Sequence, residues 1–465
     1  MKTNIMSAFF FWFPEHFLSI GNFLLTLIFV SFILRSKKPP GSTWAWLLFI
    51  TVIPYVGIPF YLIFSGRKFR TKFQRKESLF EPKPKDGKGS MDSIERILAN
   101  MGTPPARFNS EASVISSGID AYNELTQLIE SAKKDIYLTT FIFADDNVGR
   151  SLLELLKRKV EKGVSVRILL DSLGSIWGRT PSFKEFKNSG GKIGYFMPLI
   201  HLPFRGRSNL RNHRKIVIVD SEKSILGGMN IAKEYMGPTS NSDRWIDLGI
   251  KISGPSVHDL VSIFAKDWKF ATKEDLKPLP PHVDAESGKH KLQIVASGPD
   301  VLGDPLYDSI LTLIYKARKR IWVSTPYFIP DESLAKALQL ASQRGIEVRI
   351  LIPKKSNHFL ADLARGTYMR QLDSSGCHIS FLPKMIHAKA FLVDEDYALI
   401  GSANFDMRSL LYNFEIGTFI TSKDGIRSLE DWFKRYLNET TEKLPRTSFW
   451  IDLAEGVGRV LGPLI

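Results

Sequence analysis

Cysteine is almost absent from this chain: Cys377 is the only one in 465 residues. That excludes an internal disulfide framework and any multi-cysteine zinc site. No carboxylate or histidine cluster has metal-ligand spacing, and Cys377-His378 lacks further ligands at suitable distances in sequence. Gly190-Gly-Lys192 lacks the earlier glycine and the following hydroxyl residue of a phosphate-binding P-loop. Acid is missing from one region in particular. Residues 1–76 carry ten Lys/Arg against the single acid Glu15, so they hold +9 of the formal +15. The excess basicity therefore does not belong to the bulk of the chain, and this argues against nucleic acid and for an anionic membrane as partner.

The same basic segment holds the long apolar runs. Phe17 to Leu34 and Trp44 to Phe64 are free of charge. At ~1.5 Å per residue they reach roughly 27 and 31 Å, close to the ~30 Å of a hydrocarbon core. The short polar stretch Arg35–Thr43 between them predicts a transmembrane hairpin with helices over 17–34 and 44–64. Pro54, Gly57 and Pro59 would kink the second helix. A cleaved signal peptide fits less well, because no small-residue cleavage site follows and a second run comes at once. Arg67, Lys68, Arg70, Lys72, Arg75 and Lys76 follow the second run, so the positive-inside rule places the remainder in the cytoplasm, on a multi-pass cell-membrane protein. Those six charges also suit anionic headgroups.

Beyond a linker over 77–107 the chain repeats itself. Ile129-Glu-Ser-Ala-Lys-Lys-Asp-Ile-Tyr-Leu138 is answered by Ile314-Tyr-Lys-Ala-Arg-Lys-Arg-Ile-Trp-Val323, and Gly163-Val-Ser-Val-Arg-Ile-Leu-Leu170 by Gly345-Ile-Glu-Val-Arg-Ile-Leu-Ile352. Each copy is domain-sized, and each alternates strand and helix (Leu152–Lys162; Ser333–Arg344), which predicts α/β layering. The expected architecture is two similar α/β domains, 108–275 and 291–465, related by a pseudo-two-fold axis and joined by the Pro-rich linker 276–290.

One pattern occurs in both copies. His213-x-Lys215, Asp220 and Gly227-Gly228-Met229-Asn230 recur as His387-x-Lys389, Asp394 and Gly401-Ser402-Ala403-Asn404, with a common offset of 174 residues. Lys215–Asp220 and Lys389–Asp394 read as strands, in which residues i and i+2 share a face, so each His and its Lys point together. Histidine can attack phosphorus and a second histidine can protonate a leaving oxygen. Lysines and asparagines can hold the nonbridging oxygens, whose charge grows in the transition state.

This constellation resembles the phospholipase D superfamily over about residues 108–440, and within it the bacterial cardiolipin synthase group. Asn209-Leu-Arg-Asn-His-Arg-Lys215, Gly227-Gly-Met-Asn-Ile231 with Glu234-Tyr235, and Asn404-Phe-Asp-Met-Arg-Ser409 with Asn413-Phe-Glu415 carry the likeness. So do the N-terminal hairpin and the closing Arg459-Val-Leu-Gly-Pro-Leu-Ile465. The resemblance implies a single site between the copies, a phosphohistidine on His213, His387 as general acid and then base, and no metal or other cofactor. It implies that Lys215, Lys389, Asn230 and Asn404 hold the phosphate with Ser402 assisting, that Asp220 and Asp394 brace the site, and that Asp247 and Glu415 each orient a histidine. The substrate implied is phosphatidylglycerol, with one molecule giving its phosphatidyl group to another. Water or another alcohol as acceptor, or a nuclease reaction, are the alternatives. One departure stands out: the group usually has Trp-Arg-Asp followed two residues on by His, where this chain has Ile246 and Gly249. The tail Ser448–Ile465 reads either as an interfacial segment or as a segment docked on the second domain.

Overall fold

The computed structural model describes residues 21–36, 40–64, 76–80, 92–175, 180–197, 209–276, 288–441, 444 and 447–461. These fall into two compact units, residues 1–66 with 200–209, and residues 67–199 with 210–465.

In the first unit, residues 21–35 are helical, followed by the helices Pro40–Val52 and Pro54–Phe64. The second apolar run is thus two helices rather than the one expected over 44–64. Pro54 has no N–H to donate and opens a new helix after a break at Ile53. A Cβ on Gly57 would fall 2.9 Å from the Ile50 Cα, so only glycine lets the two helices fold this closely on each other. Residues 17–20 of the first expected span lie outside the described residues. No described helix is long and apolar enough to cross a membrane. The outward side chains are nevertheless apolar, among them Phe23, Leu24, Phe32, Leu34, Trp44, Leu48 and Tyr55.

The second unit contains two large sheets with one topology, besides a two-stranded one that pairs Phe328–Ile329 with Phe405–Asp406. The first runs Glu111–Ile115, Gly249–Ser253, Lys223–Gly227, Ile216–Val219, Asp135–Thr140, Ser165–Asp171, Lys192–Phe196. The other runs His290–Ser297, Glu415–Ile420, Tyr397–Gly401, Ala390–Val393, Arg320–Ser324, Glu347–Pro353, His378–Leu382. Repeat-related strands occupy the same places in each. Arg107–Asn109 adds a further edge strand to the second sheet by pairing with His290–Leu292. The stretch expected as linker 77–107 also contains the helix Ser93–Asn100, whose apolar face (Ile94, Leu98) packs into the second copy's core.

The crossover helices begin where a side chain can take up the free N–H groups of a first turn. Asp146 caps Asn147–Glu161 by accepting from Val148 and Gly149 at 2.9 Å, and Asp331 caps Glu332–Gln343 by accepting from Leu334 at 3.1 Å. Gly163 and Gly345, at φ +86° and +84°, end both. Between the two sheets lie the helices Ser256–Thr272 and Lys423–Leu437. They bury Leu260, Phe264 and Trp268 from one copy and Leu429, Trp432 and Phe433 from the other in a common core. That shared layer fixes the two halves face to face.

Candidate active site

Each motif strand begins one residue after its lysine, at Ile216 and Ala390. His213, Lys215, His387 and Lys389 therefore sit on the segments entering the strands, freed from regular pairing. The Nζ of Lys215 donates to the His213 carbonyl at 2.8 Å, and Lys389 does the same to His387. Asp220 and Asp394 close the far ends of the strands, at φ +53° and +52°. Asp220 accepts from the backbone N–H groups of Lys133, Lys134 and Asp135, and Asp394 from those of Arg318, Lys319 and Arg320. Both carboxylates pin the motif strand to the start of its neighbour. At ~3.3 Å per residue they lie about 20 Å of chain from the histidines.

The two copies meet at the histidines. His213 N donates to the Phe414 carbonyl at 2.9 Å, and Phe414 N to that of Arg211 at 2.9 Å. His387 N donates to the Ile246 carbonyl at 2.7 Å, and Ile246 N to that of Met385 at 3.0 Å. These bridges carry each acid across to the other half. His213 Nδ1 lies 3.0 and 3.1 Å from the Glu415 carboxylate oxygens and 3.1 Å from the Ser402 carbonyl. His387 Nδ1 lies 2.7 Å from Asp247 Oδ2. Carboxylates and carbonyls only accept, so Nδ1 carries the proton in both rings and Nε2 presents a lone pair. The side chains of Glu415 and Asp247 are fully buried, while those of His213 and His387 keep 13% and 6% of their surface exposed.

Burial dominates the electrostatics. It holds both histidines below their ordinary range, His387 at about 3, with Lys389 and Lys215 adding to the effect on His387 and the acids opposing it. Burial also lowers Lys215 to about 7 and Lys389 to about 8, and each half's lysine acts on the other half's histidine. For Asp247 burial is outweighed by its interaction with His387, whose Nδ1–H it accepts, by the nearby Lys389 and by the Leu248 N–H, and its carboxyl is held below the usual range. The Lys389 ammonium stands against the His387 ring, 2.7 Å from Nδ1 and 2.9 Å from Nε2.

The other expected residues gather here with distinct contacts. Asn230 Oδ1 accepts from Ile142 N at 3.1 Å, and its side chain bonds Tyr235. Asn404 bonds Asp406. Ser402 is buried and its hydroxyl turns to Glu415 at 2.5 Å, while accepting from Ile416 N at 3.0 Å. In this geometry Ser402 orients the acid that orients His213.

Several residues at the site were given no role by the twice-repeated pattern. Tyr235 sets its ring edge against His387 at 4.9 Å, and Trp245 lies 5.7 Å away. Phe141 meets His213 edge-on at 5.2 Å. Arg214, between the motif His and Lys, is fully buried; the matching position of the second copy is Ala388. Its guanidinium binds Asp267 at 2.8 and 2.9 Å and donates to the Glu415 carbonyl at 3.2 Å and the Ser297 carbonyl at 3.2 Å. Lys76 completes this cluster by pairing with Asp267 at 2.6 Å and with Asp300. Lys76 is thus a buried partner of two acids and is withdrawn from the basic flank expected on headgroups; residues 67–75 lie outside the described residues. Strict alternation in the sequence offered one clue, since a charge between His213 and Lys215 must face into the protein.

Ile246 and Gly249, the departures from the usual pattern, also have places. Ile246 makes the bridge to Ile386, and Gly249 pairs with Gly227, where a Cβ on Gly227 would fall 2.6 Å from the Gly249 Cα. The second copy repeats this contact with Gly401 and Gly417.

Two like α/β halves, each lending an acid to the other's histidine, define the phospholipase D class of fold and site. Residues 125–268 and 310–437 match the family described as "Cardiolipin synthase, PLD-like domain", and the chain belongs to that family. Residues 24–66 match "Phospholipase_D-nuclease N-terminal". The chain is 33% identical over 457 residues to a cardiolipin synthase of Listeria welshimeri, covering 92% of this chain and 95% of that one. It is likewise 33% identical over 488 residues to the major cardiolipin synthase ClsA of Bacillus subtilis, covering 96% and 100%. The crystal structure of a phosphatidylserine synthase from Haemophilus influenzae shares the fold, with a TM-score of 0.61 over 80% of this chain and all of that one at 15% identity.

Proposed function

We propose that this protein makes cardiolipin and glycerol from two molecules of phosphatidylglycerol through a phosphohistidine on His213. The observation that carries the reading is the crossed pair of acids, which leaves both Nε2 atoms free of protons. His213, the more exposed of the two, is the nucleophile: its Nε2 attacks phosphorus, the bond to the headgroup glycerol breaks, and the leaving oxygen takes a proton from His387. His387 must be charged for that step. The substrate's anionic phosphate supplies the condition, since between Lys215 and Lys389 it offsets the positive field that adds to burial in holding His387 low. A hydroxyl of the second phosphatidylglycerol then passes its proton to His387 and its oxygen to phosphorus, and the P–N bond breaks. Lys215, Lys389, Asn230 and Asn404 hold the nonbridging oxygens, while Asp220 and Asp394 brace the strands.

The protein works at the cell membrane, held there as a multi-pass protein by the apolar helices of its first unit, with the two α/β halves on the cytoplasmic side. Anionic lipids are its partners. Purified protein incubated with phosphatidylglycerol should release cardiolipin and glycerol in equal amounts, read by mass. Phosphatidic acid in place of cardiolipin would instead make water the acceptor and the protein a phospholipase D.

A further inference from the structure

The C-terminal helix Phe449–Leu461 is docked with its polar side inward. Asp452 pairs with Arg370 of the helix Phe359–Asp373 at 2.9 Å, and Glu455 with the same guanidinium. Small residues let the two helices touch: a Cβ on Gly366 would fall 2.1 Å from the Glu455 carboxyl carbon, and one on Gly458 would fall 3.0 Å from Ala364 N. The opposite stripe is apolar. Phe449, Trp450, Leu453 and Val457, on one face at 100° per residue, are 72, 74, 52 and 56% exposed. A soluble helix would bury that stripe.

The contacts Arg370 to Asp452 and Ala364 to Gly458 make the two helices antiparallel. Phe359, 73% exposed, and Leu360, 48% exposed, therefore add apolar surface near the C-terminal end of the last helix. That end adjoins the site. Phe359 follows His358, whose ring meets Tyr327 at 5.3 Å; the Tyr327 hydroxyl donates to Asn357 at 2.6 Å, and the next residue, Phe328, pairs with Phe405, the neighbour of the site residue Asn404. The charge beside the patch is basic. Arg370 is shared by Asp452 and Glu455 and Arg365 pairs with Asp362, and with Lys354, Lys355 and Arg459 exposed around them the cations outnumber these three acids.

We propose that Phe449, Trp450, Leu453, Val457, Phe359 and Leu360 form a membrane-docking face that seats the mouth of the site on an anionic lipid surface. Aromatic rings at headgroup depth, aliphatic side chains below them and lysines at the rim are the chemistry of interfacial binding. The inference rests on the phosphatidyl-transfer reading, because a phosphatidylglycerol headgroup must reach His213 while its acyl chains stay in the bilayer. A helix packed by its acids and glycines leaves its apolar face free for that purpose.

The test uses the full chain in vesicles containing phosphatidylglycerol, with a fluorophore on L453C or W450C and on K423C, an exposed position of another helix, as control; Cys377 is buried and stays unlabelled. Labels at 450 and 453 should be quenched several-fold by nitroxides on the lipid chains and shielded from iodide, with the reverse at 423. The double variant L453E/V457E should lose ~10-fold in turnover on vesicles and stay within about twofold on dispersed short-chain phosphatidylglycerol. Iodide reaching 453 as freely as 423 overturns the proposal. So does a label shielded from iodide but untouched by the lipid nitroxides, which would mean that the N-terminal helices or a second copy cover the face. The quenching needs no turnover, so an error about the reaction would leave it intact and would show instead in the product assay.

Discussion

Replacing Glu415 by Gln tests which acid serves which histidine. Glu415 accepts from His213 Nδ1 at 3.0 to 3.1 Å and from the Ser402 hydroxyl, with Asn413 Nδ2 at 3.4 Å. A glutamine turns one of its two acceptors into a donor facing donors. The charge-assisted bond to His213 is then weakened or replaced, and its Nδ1–H tautomer loses its support. Such a bond is worth about 1.5–3 kcal/mol, or roughly 10- to 150-fold in kcat/KM. Asp247→Asn should cost a similar amount at His387, but at a different step. With a phosphodiester whose leaving group needs no proton, such as a nitrophenyl ester, the burst of leaving group should return to within a few-fold of the parent in Asp247→Asn and stay depressed in Glu415→Gln. If the ester rescues Glu415→Gln and spares nothing in Asp247→Asn, each acid serves its own half and the crossed arrangement is wrong. A loss under threefold in both would remove the acids from the mechanism.

The histidines should fail in the same divided way: His213→Ala should abolish turnover and any phosphatidyl-enzyme adduct, while His387→Ala should regain its first step with the nitrophenyl ester, as trapping of the adduct would read. Lys215 and Lys389 are charged below about 7 and about 8 and lose their charge above, so kcat/KM should fall as pH rises through 7 to 8, and a pH profile flat to 9 would refute their role in holding phosphate. Asp220→Ala should cost about 2–3 kcal/mol of stability by leaving three backbone N–H groups without their acceptor, and more than Asp220→Asn, in denaturant unfolding. Deleting residues 1–75, which spares Lys76 and its buried acids, should shift products from cardiolipin toward phosphatidic acid; an unchanged ratio would place acceptor choice wholly in the pocket.

Much of this was legible in the residues because it is local or repeated. The offset of 174 matched motif to motif, and an Asp after four apolar residues can be read as a strand end. Amphipathic periods announced the crossover helices, though one of them, capped by Asp146, starts at Asn147, five residues before the first periodic leucine. Reading broke down where a residue's meaning depends on what comes to meet it. Charge-free length suggested one helix over 44–64, but Pro54 ends the hydrogen-bond ladder and Gly57 lets the chain fold back. Lys76 looked like one more member of a basic run until Asp267 and Asp300 closed on it. The tail could be read as interfacial or docked, and its docked side turns out to be the polar one.

The sequence by itself determined the repeat, the two His–Lys–Asp motifs and the kind of chemistry they suit. Tertiary structure decided which acid faces which histidine. A repeat says that Asp247 and Glu415 occupy corresponding sites, yet each could as well have turned toward its own copy. Only the backbone bridges Asn212–Phe414 and Ile246–Ile386, made because the shared core sets the halves face to face, send each carboxylate across. Arg214 follows from the same cause: a guanidinium is stable there because chain distant in sequence supplies Asp267, Asp300 and the carbonyls of Ser297 and Glu415.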